Sequence, residues 1–185
     1  DELWMAEGFT SYYDELILQR IGHTKKDAYL EVLKDEINTL EALPGRLHQS
    51  VAEASYDAWI KYYRKNEHSP NSSISYYNKG HLLGLLLDIK IIAATQGKSN
   101  LDDVMLKLYK QFALKQKGYT SDDVRKVCES VSGLKLTTFF EDYVFGVEPL
   151  PYVEVFALAG LDMDSTTEKS SYHGAVLKNQ AGRIM

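Results

Sequence analysis

Apolar positions recur every three to four residues along most of the chain, the spacing of helices that bury one face. In the first helix these positions are Trp4, Tyr12, Tyr13, Leu16, Ile17 and Ile21. We predict that this helix ends near Gly22 and that the next begins at Thr24, with Asp27 completing a capping box. The break at residues 44–45, Pro-Gly, ends the second helix.

Residues 74–96 are apolar on nearly every side, which predicts a helix surrounded by other helices. Ser55 is predicted to cap a short aromatic helix that contains Trp59 and Tyr63, ahead of the polar loop 67–73. Shorter capped helices follow, with predicted starts at Ser99 with Asp102, at Thr120 with Asp123, and at Thr137. The fold class is therefore predicted to be all-α, with residues 74–96 as the central helix.

The end of the chain changes character after residue 161. Alternation over residues 172–177 predicts a strand, and residues 179–182 have the composition of a turn. No unit repeats at a fixed period, which argues against a solenoid.

Composition excludes several classes of function. The formal charge of −5 is spread over both signs, so nothing favours binding to nucleic acid or to anionic membranes. The longest apolar run, residues 82–94, is shorter than the roughly 20 residues that span a bilayer. The single cysteine, Cys128, lies in an amphipathic stretch typical of a small buried hydrophobe, and the cellular compartment stays open.

No motif in the chain forms a complete catalytic site by itself. The five histidines stand apart, and only His81 falls on the central helix, where a buried structural histidine is expected. Glu7 carries a charge in an aromatic turn just before Gly8, which weakens a helix by about 1 kcal/mol relative to alanine. On charge alone, Glu7 is an exposed residue of the first turns.

The sequence WMAEGFTSYY at residues 4–13 resembles the W-x-x-E-G-F-T-S-Y-Y signature of the glycyl aminopeptidase family. These metallopeptidases use H-E-x-x-H and a downstream glutamate, which is the third protein ligand of a catalytic zinc. The resemblance implies that Glu7 has this role and that Zn²⁺ is the cofactor of the intact protein. A zinc hydrolase needs three protein ligands and an open fourth position, which agrees with such a set.

A second segment, SYYNKG at residues 75–80, resembles the Y-x-K-G segment of related zinc aminopeptidases. There the tyrosine donates a hydrogen bond to the oxyanion of the tetrahedral intermediate, which implies a catalytic role for Tyr77. The alternative is that Tyr76 and Tyr77 are core aromatics at the start of a buried helix.

Residues 50–59 also resemble this family. Asp57 and Trp59 are candidates for binding the free amine of the substrate, because a carboxylate beside an aromatic ring suits an ammonium group. Asp57 capping its own helix is the alternative.

The resemblance implies that residues 1–161 are the helical C-terminal part of a thermolysin-like catalytic domain. Residues 162–185 would then be a linker and the first hairpin of a truncated PDZ domain. The family's H-E-x-x-H precedes the glutamate signature, whereas this chain begins at Asp1. We therefore expect a fragment that neither binds zinc tightly nor acts alone.

The parent is expected to remove N-terminal residues from peptides, small ones such as glycine or alanine. The face left open by truncation would favour a homodimer. The alternative is a non-catalytic helical module that uses the same scaffold for protein binding.

Overall fold

The computed structural model describes residues 2–163 and the backbone of two short strands, and it confirms the all-α class with a short β tail. The nine α-helices of this described part are α1 Leu3–Arg20, α2 Lys26–Glu41, α3 Val51–Tyr56, α4 Ser69–Ser72, α5 Tyr76–Ala94, α6 Leu101–Gln111, α7 Ser121–Ser132, α8 Thr137–Phe139 and α9 Tyr152–Leu158. Short 3-10 turns are Pro44–Leu47 and Ala113–Lys115, and a π-helical turn covers Phe140–Phe145.

Helix α5 is the centre of the fold, as its pattern predicts. Its middle turns are almost wholly buried, with Leu82, Leu83, Leu86, Leu87 and Ile91 all at 0% exposure. Helix α1 packs along α5, and α2, α3, α6, α7 and α9 contact it from other sides. Ile92 at its end is 41% exposed, so the enclosure stops one turn before the helix does.

Two glycines set the distance between α1 and α5. A Cβ atom built on Gly80 would lie 2.8 Å from the Cα of Gly8, and one built on Gly8 would lie 2.6 Å from the carbonyl carbon of Gly80. Real Cβ atoms essentially never come this close to backbone, so side chains are excluded at both positions. The two helices therefore touch backbone to backbone at this point.

A buried carboxylate joins three helices further along α5. Asp88 accepts a hydrogen bond from the Tyr12 hydroxyl of α1 at 2.6 Å and another from the Leu101 backbone N–H of α6 at 2.8 Å. Its side chain is 4% exposed, and its partners offset the cost of burying the charge.

The capping predictions succeed in part. Thr120 and Asp123 form the predicted capping box of α7, and Gly133 ends that helix with φ of 74°. Helix α2 begins one residue after Lys25 without a side-chain cap, so the box at Thr24 is wrong. The predicted start at Ser99 is one residue early, because Asn100 and Asp103 form the box of α6. Thr137 opens α8 without capping it.

The predicted aromatic helix after Ser55 is also wrong. Ser50 caps α3 in a capping box with Glu53, and the next residues, 57–63, form successive turns. The Ser55 hydroxyl instead accepts a hydrogen bond from the Trp4 backbone N–H at 2.8 Å and donates one to the Val51 carbonyl. This contact ties α3 to the start of α1.

The tail contains two strands, β1 Asn179–Gln180 and β2 Arg183–Ile184, paired antiparallel. The predicted strand at 172–177 lies outside the described residues, and the assignment of residues 162–185 to a PDZ domain stays a prediction. Across the part of the chain that the structure describes, no helix combines the length and apolar character needed to cross a bilayer.

Candidate functional site

Glu7 lies in the second turn of α1, half-buried, immediately before the glycine that touches α5. Among residues 2–163 its carboxylate forms neither a hydrogen bond nor an ion pair, although its backbone carbonyl accepts a bond from Ser11. A carboxylate without a protein partner is free to bind a cation or a ligand.

Tyr77 lies in the first turn of α5. Its ring stacks on Tyr76 with 4.6 Å between centroids and 29° between planes, and Tyr62 lies 6.0 Å away. Tyr76 is 1% exposed and belongs to the core, whereas Tyr77 is half-buried at the edge of the core. The core alternative therefore describes Tyr76, and Tyr77 remains accessible.

The contact between Gly8 and Gly80 brings together the helix segments that contain Glu7 and Tyr77. Glu7 directly precedes Gly8, and Tyr77 lies one helical turn before Gly80. The pKa of Tyr77 is raised, and hydrogen bonding with Tyr63 is the largest cause. Hydrogen bonding with Tyr76 lowers this pKa, whereas burial and the negative charge of Glu7 raise it further. The two segments that carry these residues therefore lie side by side in the fold.

Two further tyrosines belong to this cluster, and the sequence interpretation did not assign them to it. The Tyr63 hydroxyl lies 3.0 Å from the Tyr76 hydroxyl, and the Tyr62 ring lies 5.1 Å from the Tyr76 ring. The adjacent tyrosines at residues 62–63 were a visible signal. Their contact with α5 could not be predicted, because it depends on the path of the turns after α3.

Asp57 and Trp59 occupy the same run of turns. Asp57 is the C-terminal cap residue of α3, and its carboxylate forms an ion pair with Lys61. Trp59 is 73% exposed and stacks on Tyr63 at 5.1 Å. Their roles in amine binding stay predictions: Asp57 has a partner already, while the Trp59 ring offers an open face.

The described residues supply one candidate metal ligand and not a complete set. No group of three histidine, cysteine, aspartate or glutamate side chains lies together within the described ranges. His23, His48 and His68 are exposed, and His173 lies outside the described residues. Glu7 fits the role of one ligand, since its carboxylate is accessible and uncommitted.

His81 is a core residue, as expected. It is 2% exposed, packs edge-on against Tyr12 at 5.8 Å, and burial lowers its pKa. His81 is therefore enclosed by the core and belongs to no group of potential metal ligands among the described residues.

A small cavity lies on a different side of α5. It is lined by Leu40, Glu41, Arg46, Lys79 and the segment 147–150, and neither Glu7 nor Tyr77 contributes to it. Lys79, two residues after Tyr77, is 2% exposed, and burial lowers its pKa to about 8 although Glu41 partly opposes the shift. Its ammonium group lies 3.5 Å from the Gly146 carbonyl.

Comparison with known proteins shows which sequences and structures this chain resembles. Residues 1–83 match the sequence model of the M61 glycyl aminopeptidases. A crystal structure of an aminopeptidase N family protein from Idiomarina loihiensis matches 84% of this chain at 35% identity and a TM-score of 0.80, and the match covers 27% of that protein. None of the curated proteins compared with this chain matches it. The resemblance is thereby confirmed for residues 1–83, which are similar to the M61 glycyl aminopeptidases, a peptidase family.

Proposed function

We propose that this chain is the helical C-terminal part of the catalytic domain of a zinc-dependent aminopeptidase. The parent would remove small N-terminal residues, such as glycine or alanine, from peptides. The observation that carries the proposal is the backbone contact of Gly8 with Gly80, which brings together the segments that contain Glu7 and Tyr77. The family match over residues 1–83 includes both residues.

Glu7 is the proposed third zinc ligand. A helix-borne carboxylate that is accessible and unpaired among the described residues is suited to bind a cation together with two imidazoles. The resemblance implies that those imidazoles and the general-base glutamate belong to an H-E-x-x-H sequence, which these 185 residues do not contain. A bound zinc ion supplies Lewis-acid chemistry to this kind of hydrolysis.

Tyr77 is the proposed donor to the oxyanion that develops on the scissile carbonyl. A donor of this kind must keep its proton at neutral pH. The contact with Tyr63, burial and the charge of Glu7 together raise the pKa of Tyr77, so the phenol stays protonated. Removing one oxyanion donor costs roughly 10²–10³ in kcat in other hydrolases, which sets the scale expected here.

Trp59 and Asp57 are the proposed contacts of the substrate's amino group. The exposed indole offers a face for an ammonium group, and the Asp57 carboxylate can exchange its surface partner Lys61 for that ammonium. The Lys61 side chain of this pair is half exposed, so it can move into solvent when an ammonium group binds Asp57. The proposed substrate is therefore a peptide with a free N-terminus.

The isolated chain is proposed to be inactive. One carboxylate cannot supply the three-ligand set of a catalytic zinc, so tight zinc binding is not expected. The exposed aromatic side chains of residues 56–63 form an apolar patch, with Tyr56 at 75% and Trp59 at 73% exposure, which favours a homodimer of the isolated chain.

The test compares this chain with a longer protein that carries an H-E-x-x-H sequence ahead of residue 1. Calorimetric titration with zinc and hydrolysis of glycyl- and alanyl-p-nitroanilide would be measured for both. We expect weak zinc binding and no turnover for the chain, and stoichiometric zinc with turnover for the longer protein. A longer protein that folds but neither binds zinc nor hydrolyses either substrate would support the non-catalytic module instead.

A further inference from the structure

Lys79 brings a positive charge into the interior, where it lines the small cavity beside α5. The residue is 2% exposed, and its ammonium group meets one acceptor, the Gly146 carbonyl, at 3.5 Å. Burial lowers its pKa to about 8, which still leaves the amine mostly protonated at pH 7. An ammonium group has three N–H donors, so two of them have no protein acceptor within residues 2–163.

The carboxylates that line the same cavity do not neutralise this charge. Glu41 pairs with the Arg46 guanidinium at 3.1 Å and accepts a hydrogen bond from the Tyr152 hydroxyl at 3.4 Å. Glu148 is exposed to solvent. In the part of the chain that the structure describes, Lys79 forms no ion pair. A buried charge is costly unless it is paired, so the Lys79 ammonium is suited to bind a counter-ion.

The cavity offers this counter-ion a second cationic partner. The Nε atom of Arg46 is occupied by Glu41, whereas its two terminal NH₂ groups have no acceptor among the described residues. The internal space, about 10 Å³, suits one water-sized molecule or one monatomic ion and excludes organic ligands. A water molecule could accept from the ammonium group but would leave its charge uncompensated. An anion provides both an acceptor and the missing negative charge.

We propose that the cavity lined by Lys79 and Arg46 binds one small monovalent inorganic anion, of the class of chloride and bromide, between these two cationic side chains. The ion ties together three segments that line the cavity, namely the end of α2 with the following 3-10 turn, the start of α5, and residues 147–150. Neither Glu7 nor Tyr77 lines this cavity, so the proposal does not depend on the proposed function.

The first test is urea denaturation of this chain at pH 7 in two salts. Sodium chloride is compared with sodium gluconate at equal concentration, because both salts screen charges alike but gluconate is too large for the cavity. Chloride that binds only the folded chain should lower the unfolding equilibrium constant about tenfold when its concentration is about ten times its Kd. We expect this effect to saturate in the unaltered chain and to be absent in Lys79→Met.

Two further variants make this comparison specific. Lys110→Met, which alters an exposed lysine of α6, is the matched control and should keep the full chloride effect. Arg46→Gln removes one of the two cationic partners and should weaken chloride binding severalfold. A chloride effect of unchanged size in Lys79→Met would overturn the proposal. So would an equal response of the unaltered chain to chloride and to gluconate.

The second test locates the ion in the unaltered chain and therefore does not depend on the folding of any variant. Crystals grown with sodium bromide should show an anomalous-scattering peak inside the cavity, within hydrogen-bonding distance of the Lys79 ammonium group. Bromide peaks confined to the protein surface would contradict the proposal. A cavity peak without any stabilisation by bromide in solution would indicate binding at crystal concentration only, which would also overturn it.

Discussion

Gly8 of α1 and Gly80 of α5 lie against each other with no room for a side chain on either residue. Each glycine directly follows the candidate site residues of its own segment: Gly8 follows Glu7, and Gly80 follows residues 77–79. A glycine in a helix costs about 1 kcal/mol, and here the cost is offset by the close packing of α1 on α5.

Substituting either glycine should therefore destabilise the fold. Gly80→Ala places its Cβ 2.8 Å from the Gly8 Cα and still closer to the Trp4 carbonyl oxygen, and backbone cannot move aside as a side chain can. We expect the free energy of unfolding to fall by about 2–3 kcal/mol, measured by urea denaturation.

Gly84→Ala on the same helix is the matched control. Its Cβ would lie 3.2 Å from the Phe9 side chain, which can shift by a few tenths of an ångström. The gain in helix propensity then offsets the crowding, so we expect a change below about 1 kcal/mol. Equal losses for Gly80→Ala and Gly84→Ala would contradict the importance of the backbone contact.

Tyr12→Phe tests the buried junction around Asp88. The substitution removes the hydroxyl that donates to the Asp88 carboxylate at 2.6 Å and leaves one carboxylate oxygen unsatisfied in the core. We expect a loss of about 1–3 kcal/mol in the free energy of unfolding. Tyr109→Phe on the exposed face of α6 should change stability by less than about 0.5 kcal/mol.

Lys79 predicts a dependence of stability on pH. Its pKa of about 8 in the folded protein lies below the ordinary value of 10.5, so the unfolded chain binds more protons between these pH values. The contribution of Lys79 to stability therefore rises with pH from about 8 to 10.5, and its full cost of about 3 kcal/mol is present below pH 8.

Lys79→Met should accordingly be more stable than the unaltered chain at pH 7, with the difference shrinking as the pH approaches 10. Chemical denaturation at several pH values measures this directly. Lys110→Met, at an exposed position of α6, serves as the control and should show no such trend. A stability difference between Lys79→Met and the unaltered chain that stays constant from pH 7 to 10 would show that the buried amine is not the cause.

Trp59→Ala tests the substrate side of the site in the longer protein. Because the indole is exposed, stacks on Tyr63 and is a proposed contact of the substrate's amino group, its loss should raise KM for alanyl-p-nitroanilide severalfold while kcat changes little. Ile60→Ala removes a neighbouring side chain of similar exposure, 67%, and should leave KM unchanged. Equal effects of both substitutions would indicate a general apolar surface instead of a contact with the substrate.

Periodicity predicted the helical fold, although the buried face of α1 ends at Tyr12, and Ile17 and Ile21 of its apolar pattern are 49% and 70% exposed. The enclosure of α5 follows from its apolar residues on all sides, and the burial of His81 and Cys128 follows from their positions in such patterns. Helix caps were less predictable. Thr24 and Ser99 have side chains that can cap a helix, but in the folded chain Lys25 and Asn100 are the residues that precede α2 and α6.

The candidate site also contains residues that the sequence predicted and residues that it did not. The motifs predicted Glu7 and Tyr77, because those residues lie in recognisable segments. Sequence could not predict that Tyr63 contacts Tyr76, since residues 57–63 form successive turns and not the predicted helix. Sequence also could not predict the backbone contact at Gly80. A glycine within a helix indicates that another group packs closely there, but it does not identify that group.

Zinc stoichiometry of the longer protein carrying Glu7→Gln tests the central proposal most directly. The control is Glu15→Gln, which changes another half-buried carboxylate of α1 about two turns away. Metal content after dialysis should fall to a small fraction in Glu7→Gln, remain near one per chain in Glu15→Gln, and remain near one in Tyr77→Phe although its turnover is depressed. Full zinc occupancy with unaltered affinity in Glu7→Gln would contradict the account.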